Sequence, residues 1–392
     1  MTDSSIRPQD DLFRFVNGGW LATAEIPADR PGSGAFTTLR DEAEAACRQI
    51  VEELADSFSA AAPETTSQVL ATNRGRVGAL YAAFMDEEHL EELGADPLAV
   101  ELAPVLGAAS KEELARVLGE MTPIGFMGVV GADVEVDIND PERYTSWIGQ
   151  SGLGLPDESY YREEAQAPLR EAYVAHVARM LQLAGLTESF GASGEALAEQ
   201  VMAVETDLAK GHWDRVTCRN VEKMNNPMSW QEIVDSAPGL PWQEWRTGIL
   251  SAARAAGIEQ TTFLDEVIVT QPDYLPHAAA VWQGTDVENL KAWAAWHVVH
   301  ARATLLSRVF VEENFGFYGR TLQGTDELRA RWKRGVGLVE SCLGEALGEI
   351  YVGRHFPPSH KAAMEALVGR LIEAYRQSIS SLEWMSPATR ER

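Results

Sequence analysis

The residues of this sequence with the most potential for chemistry are its eight histidines. None lies in the pattern His-Glu-x-x-His, which places two metal-binding imidazoles one helical turn apart and is typical of zinc hydrolases. His297 and His300 would share one helical face and bind a metal if a third ligand were supplied. Because the pattern shows no third ligand, two partly buried histidines on an aromatic-rich helix are the favoured interpretation.

A second group with chemical potential is a basic cluster around Trp332. It consists of Arg329, Arg331, Lys333 and Arg334. Such a cluster suits the binding of a substrate carboxylate or a contact between two lobes. Pairing with carboxylates of the same chain is the favoured alternative, because the chain has 59 acidic residues and such pairs are common on helix surfaces.

Other kinds of site lack support in the sequence. There is no phosphate-binding Gly-x-x-x-x-Gly-Lys-Ser/Thr loop, no dinucleotide fingerprint after a strand and no Gly-x-Ser-x-Gly turn. The formal charge of -26 would repel phosphates, so we expect no nucleic-acid partner. No apolar run reaches membrane-spanning length, so we expect no membrane span.

The cysteines indicate a reducing compartment. Cys47, Cys218 and Cys342 are widely spaced, which favours neither a disulfide framework nor a cysteine zinc site. The first eleven residues are polar and lack the apolar core of a secretion signal. We therefore expect a soluble, cytoplasmic protein, with export without a leader left open.

Hydrophobic periodicity predicts a mainly α fold, one large helical lobe with one small β-hairpin. Helices are expected from Thr38 and at capping boxes of Ser or Thr with Glu three residues later. The capping boxes are Ser110/Glu113, Ser229/Glu232 and Thr285/Glu288. The strands are expected at Met127–Asp137, Tyr144–Gln150 and Val267–Thr270, and the last long helix at Ser359–Glu383. The last helix should bury a stripe made of Met364, Leu367, Val368, Leu371, Tyr375, Ile379 and Leu382.

The chain divides by pattern into four regions. Residues 1–9 form a polar tail, and 10–37 an extended arm rich in aromatic residues and glycine. Residues 38–386 form the helical lobe, and 387–392 the start of a truncated helix after the N-cap Ser386.

Short segments spread over nearly the whole chain form a series. They are Asp11–Leu21, Ile26–Pro27, Gly34–Phe36, Leu39–Asp41, Gln150–Pro156, Tyr160–Tyr161, Arg331–Arg334, Leu343–Val352, Phe356 and Leu382–Met385. In this order and spacing they resemble the N-terminal domain of the neprilysin and PepO family of zinc metallopeptidases, which includes enzymes like the endothelin-converting enzymes, in its soluble bacterial form.

The resemblance implies a two-lobed enzyme whose helical lobe closes over a zinc lobe and leaves a chamber for small peptides. This chain would supply the helical, non-catalytic lobe, and residues 10–37 would pack on the absent catalytic lobe. The family's zinc ligands and glutamate base lie further along the chain, so no catalytic or metal-binding residue is assigned and no cofactor is expected to bind this chain.

One substrate-binding residue follows from the resemblance. Some relatives place an arginine just before the Gly-x-Phe element to bind a substrate carboxylate. This sequence has Gly32 in that neighbourhood, and Arg30 two residues earlier is the candidate for the role.

Two hypotheses follow. In the first, the chain is the substrate-enclosing lobe of a zinc endopeptidase, and its partner is a C-terminal catalytic lobe from the same gene or a split gene. Alone it would be inactive and would fold poorly or aggregate, because the surface meant for the other lobe would be exposed. In the second, it is a stand-alone helical module that binds peptides or a protein, and it should then be stable and monodisperse.

Overall fold

The computed structural model describes residues 2–62, 65–126 and 128–392. By their contacts these residues form two compact units. Unit 1 combines the chain up to Asp86 with Arg329–Arg392, and unit 2 is Glu87–Leu328. The prediction of one lobe over residues 38–386 stays a prediction. Two compact units can still belong to one folding domain.

α-Helices dominate both units, which confirms the mainly α fold predicted from the sequence. In the described residues they are, in chain order, α1 Leu12–Leu21, α2 Ala35–Ser59, α3 Thr66–Leu70, α4 Asn73–Met85, α5 Glu87–Leu93, α6 Ala99–Gly107, α7 Lys111–Met121, α8 Ser159–Arg162, α9 Ala167–Leu183, α10 Leu186–Phe190, α11 Gly194–Ala209, α12 Val221–Met224, α13 Trp230–Ser236, α14 Trp242–Ala255, α15 Tyr274–Gly284, α16 Val287–Arg302, α17 Arg308–Asn314, α18 Arg331–His355, α19 Pro358–Ser381 and α20 Pro387–Glu391. A π-helical segment, Phe315–Leu322, continues α17.

The N-terminal arm is not extended throughout. Its first part forms α1, where the side chain of Asp11 accepts a hydrogen bond from the backbone N–H of Arg14 and caps the helix. Gly18 and Gly19 lie in the last turn, so their cost of roughly 1 kcal/mol each does not interrupt the first turns. Between Ala22 and Gly34 the arm contains no helix or strand.

The predicted helix starts are correct where a side chain reaches the third residue of the helix. Ser110 and Ser229 both accept a hydrogen bond from that backbone N–H. Thr38 is no N-cap, since α2 already begins at Ala35. Thr285 is none either, because its hydroxyl donates to the end of α15 and α16 starts after Asp286.

A four-stranded sheet in unit 2 contains the predicted hairpin. The strands are β1 Val130–Asp137, β2 Asp140–Gln150, β3 Asn226–Ser229 and β4 Glu266–Val269, in the order β1-β2-β4-β3. β1 pairs with β2 antiparallel, and β4 pairs with β2 parallel and with β3 antiparallel. The second strand that the sequence predicted is β4, β3 was not foreseen, and Met127 lies outside the described residues.

Each unit has its own buried core. The core of unit 2 is built around α16, where Trp293 and Trp296 have no exposed surface. The core of unit 1 joins α2, α4 and α18 through residues such as Ile50 and Val339. No described helix has both the length and the apolar character needed to cross a membrane.

Candidate functional site

The histidine pair noted in the sequence lies on α16 in unit 2. The Nε2 atom of His297 is 3.1 Å from a carboxylate oxygen of Glu205, and the ring centroid of His300 is 4.6 Å from that of Tyr318. Among the described residues, no group of three or more histidine, cysteine, aspartate or glutamate side chains is arranged to hold a metal. His297 thus lies beside a carboxylate and the ring of Trp293, whereas His300 packs against the rings of Trp296 and Tyr318.

Glu205, on α11, is the centre of a buried polar network that the sequence did not predict. It has no exposed surface. The hydroxyl of Tyr161 donates to its carboxylate at 2.7 Å, and the hydroxyl of Tyr173 at 3.0 Å. Burying a carboxylate costs several kcal/mol unless it is paired and hydrogen-bonded, so the two tyrosine hydroxyls are what allow Glu205 to lie in the core.

The two tyrosines are held in the protonated form. Burial, and then the charge of Glu205, raise the pKa of Tyr161 and of Tyr173 well above the ordinary tyrosine value. Tyr173 also accepts a hydrogen bond from the indole N–H of Trp296 at 2.8 Å. Both phenols therefore stay protonated at neutral pH and act as donors to Glu205.

The network supports the segment that joins β2 to α8, residues 151–156, called the glycine loop below. The indole N–H of Trp293 donates to the carbonyl of Gly152 at 3.1 Å. The hydroxyl of Tyr318 donates to the carbonyl of Gly154 at 3.0 Å. The carbonyls of this loop are thus paired with side chains of the core, as buried backbone groups must be.

The glycines of the loop are required by its geometry. Gly152 has φ of +93°, a left-handed conformation that favours glycine. A Cβ atom at Gly154 would lie 1.9 Å from the hydroxyl of Tyr173. The N–H groups of Gly154 and Leu155 donate to the hydroxyl of Tyr161 at 3.2 and 3.0 Å. This close packing explains why Gln150–Pro156 stood out as a motif.

Two further side chains fix the start of the loop at Ser151. The hydroxyl of Tyr274 donates to the carbonyls of Val129, at 2.6 Å, and of Ser151, at 3.2 Å. The Nε2 atom of His212 lies 3.1 Å from the carbonyl of Ser151. Burial lowers the pKa of His212 to about 4, so its ring is neutral and donates one N–H. The arrangement holds the backbone at the start of the loop in place.

Arg30, the substrate-binding candidate, lies in unit 1 with only 8% of its side chain exposed. Its Nη1 atom is 3.1 Å from Asp41, and its Nε atom is 3.2 Å from Asp29. The ammonium of Lys333 is 2.8 Å from Asp29 and, with Arg30, holds the pKa of that carboxyl below its ordinary value. A substrate carboxylate would compete with two carboxylates for Arg30, whose role stays a prediction.

The basic cluster has partners within unit 1. Arg329 is bonded to Glu44 at 2.6 Å, and the guanidinium of Arg331 donates to the carbonyl of Phe84. Arg334 donates to the carbonyl of Arg329 at 3.2 Å. Arg329 and Lys333 thus pair with carboxylates as the sequence favoured, whereas the bonds described for Arg331 and Arg334 go to backbone carbonyls.

Unit 1 also has a long apolar face that is exposed. α19 contains no buried residue, which corrects the predicted burial of its stripe. We call its exposed members the α19 stripe: Met364, Leu367, Val368, Leu371, Ile372 and Tyr375. They recur at three- and four-residue spacing, so they share one helical face. Nothing among the described residues covers that face, which is the physical reason for the error.

The buried position of Glu205 was not predicted from the sequence, because a single acidic residue forms no recognisable pattern. A signal was present, since Glu205 follows Val201 by four residues and precedes Leu208 by three on the apolar face of α11. A carboxylate in an apolar helical face indicates a buried polar contact.

Comparison with known sequences gives one consistent result. The sequence model of peptidase family M13, N-terminal part, matches residues 8–392. Neprilysin from Homo sapiens is 24% identical over 414 residues, which cover 100% of this chain and 53% of neprilysin. Endothelin-converting enzyme 1 from Mus musculus is 25% identical over 403 residues, covering 99% of this chain and 49% of that enzyme. The chain spans about half the length of these relatives.

Solved structures show the same likeness. The zinc metalloprotease Zmp1 of Mycobacterium tuberculosis, in complex with an inhibitor, matches with a TM-score of 0.87 and 43% identity, over 100% of this chain and 56% of Zmp1. PepO from Lactobacillus rhamnosis matches with a TM-score of 0.78 and 25% identity, over 98% of this chain and 58% of PepO.

Proposed function

This chain belongs to peptidase family M13, and from that membership we propose that it is the non-catalytic, substrate-enclosing lobe of a zinc metalloendopeptidase for small peptides. The observation that carries the proposal is the match of residues 8–392 to the N-terminal part of the family, which spans about half the length of the relatives. The sequence also has no His-Glu-x-x-His pattern to supply the family's hydrolytic chemistry.

Zinc belongs to the other lobe in this proposal. The residues of this chain do not fit it, because no described group of potential ligands converges and His297 is engaged with Glu205. A zinc-activated water with a nearby general base would hydrolyse the peptide bond in the catalytic lobe. We assign no step of that reaction to this chain.

The α19 stripe is the surface that we expect the catalytic lobe to cover. A contiguous apolar face of this length is unusual on a monomer in water and marks an interaction site. The first helix of the arm adds exposed apolar side chains, among them Phe13, which is 64% exposed. A cytoplasmic location is also part of the proposal, supported by three cysteines that form no disulfide.

The alternative is a stand-alone helical module that binds peptides or a protein without enzymatic activity. It is favoured by the extensive buried core of unit 2, which is formed by residues of this chain. The two functions differ in one consequence. Only the enzyme lobe should gain activity when a catalytic lobe is supplied.

The test uses the purified chain with and without the catalytic part of Zmp1, expressed as a separate polypeptide. We expect the chain alone to contain no stoichiometric zinc by elemental mass spectrometry and to cleave no internally quenched peptide. Mixing the two should produce cleavage that a chelator abolishes. A chain that alone carries zinc and cleaves peptide would overturn the proposal, and a mixture no more active than the Zmp1 part would favour the stand-alone module.

A further inference from the structure

No described strand pairs with the outer edge of β1, because β1 is the terminal strand in the order β1-β2-β4-β3. The carbonyl of Ile148 in β2 accepts a hydrogen bond from Thr270 at 2.9 Å, on the β4 side. Ala132 lies opposite Ile148, so its own N–H and C=O point away from β2. The alternation of the strand repeats this outward direction at Val134.

The two faces of β1 differ in character. Asp133 and Glu135 lie on one face, and both are exposed. Ala132, Val134 and Val136 lie on the other face, where Val134 is 57% exposed. A strand that paired with this edge would therefore meet carboxylates on one side and apolar surface on the other.

A groove adjoins the apolar face of β1. It has a volume of about 430 Å³ and is lined by Val134 and by apolar residues of α14 and the segment after it, including Ile249, Ala253, Ile258 and Phe263. This volume lies within the range of sites that hold small ligands or side chains, roughly 300–1,000 Å³. Alternate side chains of an added strand would reach it.

The acidic face also affects which strands can pair with the open edge of β1. The outward N–H of Val134 donates to the carboxylate of Asp133 at 2.8 Å. Charged side chains on edge strands prevent unspecific pairing with other strands. A lysine or arginine on an incoming strand would pair with Asp133 and release this N–H, whereas an acidic residue would be repelled.

We propose that the open edge of β1 binds extended peptides with alternating basic and apolar residues, by strand addition. Main-chain hydrogen bonds to Ala132 and Val134 provide affinity. The groove takes the apolar side chains, and Asp133 with Glu135 takes the basic ones. This binding is a property of unit 2 and does not depend on the chain being part of a peptidase.

The probe is the fluorescein-labelled peptide Lys-Val-Lys-Ile-Lys-Val-Lys-Ile, titrated into the 392-residue chain and followed by fluorescence anisotropy. We expect binding, together with slower hydrogen exchange at the amides of Ala132 and Val134. The same peptide with glutamate in place of lysine should not bind. Equal binding of the acidic peptide, or slowed exchange confined to other segments, would overturn the proposal.

Variants separate the two contributions. Asp133→Asn with Glu135→Gln keeps the amide contact and removes the charge, and should weaken binding roughly two- to thirtyfold. Val134→Pro removes the outward N–H, which an edge strand tolerates, together with one apolar side chain of the groove, and should weaken binding at least about tenfold. Glu199→Gln, an exposed change on α11, is the matched charge control and should leave binding unchanged.

A peptide-side control keeps the protein intact if Val134→Pro does not fold. The lysine peptide with N-methyl groups on alternate residues, made in both phases, loses the main-chain hydrogen bonds of one edge. We expect one of the two phases to lose binding and the other to keep it. Unchanged binding of both would show that the contact is not strand addition and would refute the proposal.

Discussion

The carboxylate of Glu205 accepts hydrogen bonds from two buried tyrosines of unit 2. Glu205→Gln keeps the shape and removes the charge, so one amide N–H would face the hydroxyl of Tyr161 or Tyr173, both of which are donors. A buried hydrogen-bonding group left without its partner costs roughly 1–3 kcal/mol. We expect the free energy of unfolding to fall by about that amount, as measured by urea denaturation at low protein concentration.

The matched control for this change is Glu199→Gln, on the same helix. Glu199 is exposed, and surface substitutions usually change stability by less than about 0.5 kcal/mol. Equal effects of the two substitutions would mean that the network around Glu205 does not stabilise the fold.

Gly154 should tolerate no side chain, because of its approach to Tyr173. Gly154→Ala would place a Cβ atom 1.9 Å from the tyrosine hydroxyl, and such overpacking costs about 1–3 kcal/mol. Gly107→Ala is the control, since a Cβ atom there meets nothing within 4 Å. We expect a lower urea midpoint for the first variant and little change for the second.

A double variant tests the cause of that effect. Tyr173→Phe removes the hydroxyl that the new Cβ would meet. The combined variant should therefore lose less stability than the sum of the two single changes. Strict additivity would show that the strain arises elsewhere in the glycine loop.

Buried histidines make the stability of unit 2 dependent on pH. Burial lowers the pKa of His212 to about 4 and that of His300 to about 3. In the unfolded chain both would titrate near pH 6.5, so the unfolded state binds more protons below that pH. The stability that the two neutral rings contribute is therefore fully present above pH 6.5 and is lost as the pH falls through 4 toward 3.

The variant His300→Phe should make this fall shallower, because one group that is neutral only in the folded state is gone. We expect the loss of stability between pH 7 and pH 4 to shrink by on the order of 1–3 kcal/mol, measured by urea denaturation at several pH values. His360→Gln, an exposed change on α19, is the control. Parallel pH profiles for wild type and His300→Phe would contradict the explanation.

Helices and strands followed from the sequence wherever a local signal dominated. Ser229 with Glu232 forms a full capping box, and the hairpin and β4 lie where β-rich segments were predicted. The start of α2 was predicted at the wrong residue, because its N-cap, Gly34, has no side chain that could form a capping hydrogen bond. The helix in the arm was missed because two glycines outweighed the cap at Asp11.

The site was harder to predict than the elements. The glycine loop was recognised as a motif, but the side chains that hold it in place lie on α8, α9, α11, α16 and the π-helical segment. Tyr161 and Glu205 are 44 positions apart in the chain. Contacts between distant segments depend on packing, and no local periodicity reports them.

The periodicity of α19 predicted a helix correctly and its burial wrongly. Leu367→Ser with Leu371→Ser should change the free energy of unfolding by less than about 0.5 kcal/mol beyond helix propensity, because neither side chain is buried. The same change should reduce self-association in analytical ultracentrifugation and binding of an apolar dye. Ala362→Ser with Ala366→Ser alters the opposite face and is the control.

Two results would contradict this account of α19. A large loss of stability in the double leucine variant would mean that the α19 stripe packs within the chain. Undiminished self-association would mean that another surface, such as α1, is the one that needs a partner.

The motifs of the sequence are distributed over both units. Asp29, near one end, and Lys333, near the other, form an ion pair at 2.8 Å in unit 1. The glycine loop lies in unit 2, which is formed by the chain between these two segments. The segments that resemble peptidase family M13 thus belong to both units, and it is their combination along the chain that is specific.

The separate cores of the two units predict that unfolding is not a single two-state transition. Val339→Ala, in the core of unit 1, and Val201→Ala, in that of unit 2, both remove methyl groups that have no exposed surface. Each substitution should lower the free energy of unfolding of its own unit by about 1–3 kcal/mol and leave that of the other unit unchanged. Hydrogen exchange of peptides from each unit, measured over increasing urea, should show one midpoint shifting while the other stays. If both midpoints shifted equally in each variant, the two cores would unfold as one.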